Sequence, residues 1–211
     1  MRRLLVVVAL ALAAAGPAHA KGLVSVQLCG ASGCATAALP DGEGPLAMDA
    51  PVVAAARPAP YYRVRLVGDR SSIALWYVPG EAKLTLLPFG YDTFAWTTVA
   101  GSWRETLDAL ARRIDPYPVS TIARATVDGR AVADPQSYLV LWSLTGKPHG
   151  YPRDYGVQIV LRSTQPSPWT DGNFLQFLPR DRMLVRDGEL VAVPRWIAAR
   201  IGRRASLAGI R

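Results

Sequence analysis

Histidine is almost absent from this chain of 211 residues: His19 and His149 are the only two. His19 lies in a stretch that reads as a removable leader, which leaves one imidazole. Every site needing two is then excluded, including the common hydrolytic zinc centres and the HExxH helix. Lysine is scarce too, with Lys21, Lys83 and Lys147 alone among the bases and arginine supplying the rest. Cysteine is confined to Cys29 and Cys34. No GxSxG elbow, phosphate-cradling glycine loop, dinucleotide fingerprint or calcium-loop spacing occurs. No cofactor or metal is therefore expected. Beyond the first twenty residues, no apolar run approaches the roughly 20 residues that span a bilayer, so no transmembrane segment is expected after the leader.

That leader is MRRLLVVVALALAAAGPAHA. Two arginines, an unbroken apolar run, Gly16-Pro17 and the small-x-small end Ala18-His19-Ala20 describe a signal peptide over residues 1–20, cleaved between Ala20 and Lys21. The expected destination is extracytoplasmic: periplasm, cell envelope or medium. Cleavage leaves enough chain for one domain with a real core. Net charge falls from +8 to +6, because Arg2 and Arg3 leave with the leader and no acid does. Nucleic acid is not an expected partner of an exported chain.

The cysteines sit together in CGASGC. An oxidising destination favours a disulfide, a zinc clip lacks further nearby ligands, and the spacing differs from the Cys-x-x-Cys of redox enzymes. One register satisfies the flanks as well. With Cys29 opposite Cys34, Gln27 faces Thr36 and Ser25 faces Ala38, while Val24, Val26 and Leu28 gather with Ala35, Ala37 and Leu39 on the other side. Residues 21–39 therefore read as a disulfide-pinned hairpin, with Gly30 and Gly33 supplying positive-φ freedom at its turn.

Residues 40–60, rich in Pro, Ala and Gly, read as a linker or a loop over the surface. Residues 61–211 read as an α+β domain of mostly antiparallel strands with two or three helices. In YYRVRLVG, Tyr62, Val64 and Leu66 alternate with Arg63, Arg65 and Val67, which is strand periodicity with one charged face. Further strands are expected in SSIALWYVP, AKLTLLPF, GVQIVLRS, NFLQFLP, RMLVRDG and ELVAVP. GSWRETLDALARRIDP reads as a helix with Ser102 and Glu105 at capping-box spacing and a buried stripe of Trp103, Leu107, Leu110 and Ile114. Asp128-Gly129 marks a two-residue hairpin turn. Asp134-Pro135 suits a helix start running through Trp142, although 135–143 also suits a buried strand. GKPHGYPRDY reads as a loop, and a last helix runs from about Pro194 to Arg204. A meander followed by a helix recurs over 61–118 and 155–205, with Pro79 and Pro179, Leu84 and Leu184, and Trp96 and Trp196 each one hundred residues apart. That spacing points to an internal duplication.

Catalytic candidates are few. His149, with Asp154 placed to orient it, and Asp92, in GYDTFAW, carry the alternative reading of a secreted hydrolase. Cys29 and Cys34 carry a second alternative, a thiol-disulfide protein. The basic C-terminal end carries the leading one. On a helical projection Arg195, Trp196, Arg200, Arg203 and Arg204 share one half-circle, opposite Ile197, Ala198 and Ile201. The plain expectation is a solvated helix whose Trp196 folds back onto the core. The same face also suits an anionic envelope polymer or lipid surface. The leading function is thus an exported, soluble, non-catalytic binding or envelope-associated protein.

Overall fold

A computed structural model describes residues 23–40, 51–68, 72–86, 95–144, 146–148, 156–170, 175–186 and 189–207. The fold is α+β and mostly β. The strands are β1 (Leu23–Gly30), β2 (Gly33–Ala38), β3 (Tyr62–Gly68), β4 (Ser72–Val78), β5 (Lys83–Leu86) and β6 (Ala95–Thr98), followed by helix α1 (Gly101–Ala111). Then come β7 (Ile122–Val127), β8 (Arg130–Ala131), a 3-10 helix (Gln136–Trp142), β9 (Gly146–Pro148), β10 (Val157–Ser163), β11 (Leu175–Leu178), β12 (Met183–Arg186), β13 (Glu189–Ala192) and helix α2 (Arg195–Leu207). Every pairing is antiparallel.

The two sheets share one plan. The first is ordered β2-β1-β3-β4-β5-β6 and the second β8-β7-β10-β11-β12-β13, with β9 added beside β13. Each is a hairpin whose first strand pairs with the start of a four-strand meander, and a helix follows each meander. Pro79 and Pro179 both directly follow the second meander strand, and Leu84 and Leu184 both stand second in the third strand. Trp96 and Trp196 are not equivalent, however: Trp96 lies in β6 and Trp196 in α2. The connections explain this. The first and second meander strands are joined by residues 69–71 in one unit and 164–174 in the other; the third and fourth by 87–94 and 187–188. A constant spacing of one hundred therefore holds only for the middle strands.

In the N-terminal hairpin Cys29 pairs with Cys34, Gln27 with Thr36 and Ser25 with Ala38. The cysteines form a disulfide. Val26 and Leu28 are buried, with Ala35, Ala37 and Leu39 packed beside them. Val24 departs from the expected face and is exposed, because a register shift between Leu23 and Ser25 on the β3 side turns it outward. Gly33 has a positive φ of 132°, but Gly30 has none. Gly30 serves close approach instead: a methyl group there would lie 2.1 Å from the Asp115 carbonyl oxygen. That carbonyl accepts the Ala31 N–H at 2.8 Å, and the Ser32 hydroxyl accepts the Asp115 N–H at 2.7 Å. The hairpin tip is thereby clamped to the chain leaving α1. Since the disulfide closes a short loop, replacing both cysteines by alanine is expected to lower stability by about 2 kcal/mol in urea unfolding. No change in the transition would show that the turn and the Asp115 clamp already hold the hairpin.

The predicted stripe Trp103, Leu107, Leu110 and Ile114 is buried against one face of the first sheet, on Tyr62, Val64, Leu66, Leu75, Tyr77 and Leu84. The Tyr62 hydroxyl donates to the Ile114 carbonyl at 3.0 Å, and that of Tyr77 to Asp108 Oδ1 at 2.7 Å. The capping box does not form as expected. The first helical bond runs from Arg104 N–H to Ala100 C=O, so Ser102 already lies inside the first turn and the cap residue Ala100 has no side-chain bond to offer.

A second core joins both units, with Trp76, Val78 and Trp96 meeting Val157, Ile159, Leu161, Phe177 and Leu184 beneath α2. Residues 51–60 lack regular structure but are drawn into it. Val53 bridges Trp96, Ala55 and Ala56 are buried, and the Trp169 indole donates to the Ala56 carbonyl at 2.8 Å. At the Asp128-Gly129 turn both residues have positive φ, 51° and 76°, as a type I′ hairpin requires. Residues 136–142 are helical rather than extended, but wound as 3-10. In a three-residue turn, side chains at i and i+3 stack, and buried Tyr138 and Leu141, Leu139 and Trp142 have that spacing. The stretch expected as a loop after them contributes β9, whose Gly146–Pro148 closes the edge of β13.

Candidate functional site

The basic face of α2 is a predicted site that lies wholly within the described residues. Ile197, Ala198, Ile201 and Ala205 are buried, giving the helix its seat on the second core. Arg195 and Arg203 are exposed, and Arg200 and Arg204 partly so. Trp196 does not fold back onto the core: it is 60% exposed. Its position directly precedes the buried stripe, so its ring stands at the rim, over a groove between α2 and the 3-10 helix.

Ser137, Tyr138 and Val140 line one wall of that groove, and Trp196, Ile197 and Arg200 the other. The groove is half open, and its ≈ 10 Å³ of space has room for about one water molecule. Arg200 spans it. One guanidinium nitrogen donates to Asp134 Oδ2 at 2.9 Å, and the group lies 5.6 Å from the centre of the Tyr138 ring, a cation-π distance. Arg200, followed by hydrogen bonds from Ser137, holds the Asp134 carboxyl below its ordinary range. Tyr138 is 3% exposed, and its buried hydroxyl has no hydrogen-bond partner among the described residues. Burial pushes its phenol up, while the positive charges of Arg200, Arg204 and Arg203 pull the other way.

Tyr138 and Asp134 were not among the residues that the sequence marks for this site. Asp134 carries a cap signal and Tyr138 a core signal, and their partner Arg200 lies 66 positions from Asp134. Local periodicity does not report such a meeting.

A second polar centre is buried. Arg186, 1% exposed, pairs with Glu189, 5% exposed, across the β12–β13 turn. Its Nη2 lies 2.6 Å from Glu189 Oε2, and its nitrogens also donate to the carbonyls of Leu141 at 2.7 Å and Leu144 at 3.0 Å. The guanidinium stacks 5.3 Å from the Trp142 ring centre. Glu189 Oε1 accepts the Ala55 N–H at 2.8 Å. With both carboxylate oxygens engaged, this pair ties segment 51–60, the end of the 3-10 helix and the β12–β13 hairpin together. It is a structural clamp.

The remaining predicted residues separate clearly. Cys29 and Cys34 are joined to each other. His149, Asp154 and Asp92, and the cleavage pair Ala20 and Lys21, lie outside the described residues. No helix among the described residues is long and apolar enough to cross a membrane. The chain matches no protein-family model, and no curated protein or solved structure is similar to it.

Proposed function

We propose that this chain is an exported, non-catalytic, envelope-associated binding protein that meets an anionic surface through the outer face of α2. The observation that carries the reading is Trp196, 60% exposed on a helix whose other outward residues include Arg195 and Arg203. A large indole at the water boundary beside cations suits an interface where one side is apolar or polyanionic and the other wet. Arg195, Arg203 and Arg204 have no carboxylate partner among the described residues. The leader at residues 1–20 and the Cys29–Cys34 disulfide support an oxidising destination.

Co-sedimentation with lipid vesicles tests the reading. The purified chain is expected to pellet with vesicles containing phosphatidylglycerol and not with phosphatidylcholine alone, and to release as salt rises, because exposed charges are screened within about 8 Å at physiological ionic strength. Reversing two charges, Arg203→Glu with Arg204→Glu, should weaken retention at least about tenfold, given about 1 kcal/mol per basic residue at an anionic surface. Retention indifferent to salt and to both reversals sinks the proposal.

A further inference from the structure

The charged face of β3 plays no part in the α2 surface. Tyr62, Val64 and Leu66 point into the first core beneath α1, so Arg63, Arg65 and Val67 stand on the opposite side of the sheet. The register extends that side across four strands, placing Thr36 and Gln27 in the row of Arg65 and Ser25 and Ser72 in the row of Val67. Arg63, Arg65, Thr36 and Ser72 are exposed, and Gln27 and Ser25 partly so. Four strands make an open face about 14 Å wide, and two residues along one strand set the arginines about 7 Å apart. The Arg63 guanidinium lies 5.9 Å from the centre of the Trp76 ring, a cation-π distance that orients it. Opposite charges placed across strands would stabilise an exposed face, yet β1, β2, β3 and β4 contain no Asp or Glu. Neither arginine forms an ion pair with a described carboxylate.

We propose that this face of the first sheet docks an acidic polysaccharide. Charge complementarity calls for an anion, and the planar fork of each arginine matches the two oxygens of a carboxylate. The floor around them selects the kind of anion. Ser25, Thr36 and Ser72 hydroxyls and the Gln27 amide both donate and accept, which suits the hydroxyls of a sugar ring and gives a bare acidic chain little to bond. Short side chains beside the arginines leave a flat floor on which a chain of rings can lie. This docking surface is separate from α2 and takes a different partner.

Calorimetry with alginate oligosaccharides at physiological ionic strength tests the proposal. The wild-type chain is expected to bind saturably, and not to bind neutral dextran. Arg63→Gln with Arg65→Gln should weaken alginate binding about tenfold, the scale of two exposed ion pairs, with an unchanged melting temperature. Arg112→Gln with Arg113→Gln removes the same charge from exposed positions after α1 and should keep the wild-type affinity. Poly-L-glutamate, which has the carboxylates without the sugar hydroxyls, should bind more weakly than alginate at equal charge. Retention on phosphatidylglycerol vesicles through α2 should persist in the Arg63 and Arg65 variant, so failure of this surface and failure of the α2 reading are told apart. The proposal is overturned by no saturable alginate binding, by an equal loss in both arginine variants, or by poly-L-glutamate binding as tightly as alginate.

Discussion

Glu189→Ala should destabilise the chain by about 4 kcal/mol, a large share of the roughly 5–15 kcal/mol that holds an ordinary domain folded. The loss has two sources. Arg186 keeps its charge at 1% exposure with, among the described residues, the Leu141 and Leu144 carbonyls and the Trp142 ring left to face it, and the buried Ala55 N–H loses its acceptor. Removing one partner of a buried pair costs far more than the pair contributes net, since desolvation of the survivor is no longer offset. The double variant Arg186→Met with Glu189→Gln should accordingly lose less than Glu189→Ala alone: no charge stays buried, and the glutamine oxygen still accepts from Ala55. Urea unfolding of the three chains measures this. If Glu189→Ala lies within about 1 kcal/mol of wild type, the clamp holds nothing together.

Gly30→Ala is the second large effect, expected at about 3 kcal/mol, at the upper end for forcing a methyl group into packed structure. Its Cβ would lie 2.1 Å from the Asp115 carbonyl oxygen, a backbone atom that moves only if the hairpin tip or the end of α1 moves with it. Gly33→Ala is the control. Nothing lies within 4 Å of a Cβ at that position, so only the strain of φ 132° remains, about 1 kcal/mol. A larger loss at Gly33 than at Gly30, read from thermal or urea melts, would show that turn geometry and not the docking of the tip governs the hairpin.

These two sites also mark where sequence reading succeeds and stops. The β1–β2 register is legible because a disulfide and a two-residue side-chain period constrain the same six pairs, and a slip by one residue violates both. The α1 stripe is legible because four large apolar residues share one face. Gly30 looks from sequence like a turn glycine, yet the reason for it lies 85 residues away at Asp115, beyond any local signal. The Arg186–Glu189 clamp is similarly hidden: flanking Asp187-Gly188, both residues read as the polar ends of a hairpin, and only tertiary packing from segments 51–60 and 136–144 buries them. At the candidate site the arginine face of α2 is legible from helical projection, but the exposure of Trp196 is not. A tryptophan one position from an apolar stripe goes to the core or to the rim according to what the neighbouring 3-10 helix leaves room for.

The recurring sheet order leaves four edge strands among the described residues. The outer side of each edge strand has no further strand beside it among the described residues, and such edges can template association with other chains. Three of the four edges are blunted: β8 has two residues, β9 has three and ends in Pro148, and β6 is bridged by Val53. The remaining edge, β2, runs for six residues. Its turn end is tied to its neighbour by Cys29–Cys34, which opposes its separation from β1. Under reducing conditions that tie is lost, and β2, the longest of the four edges, is the one at which strand exchange is expected to begin.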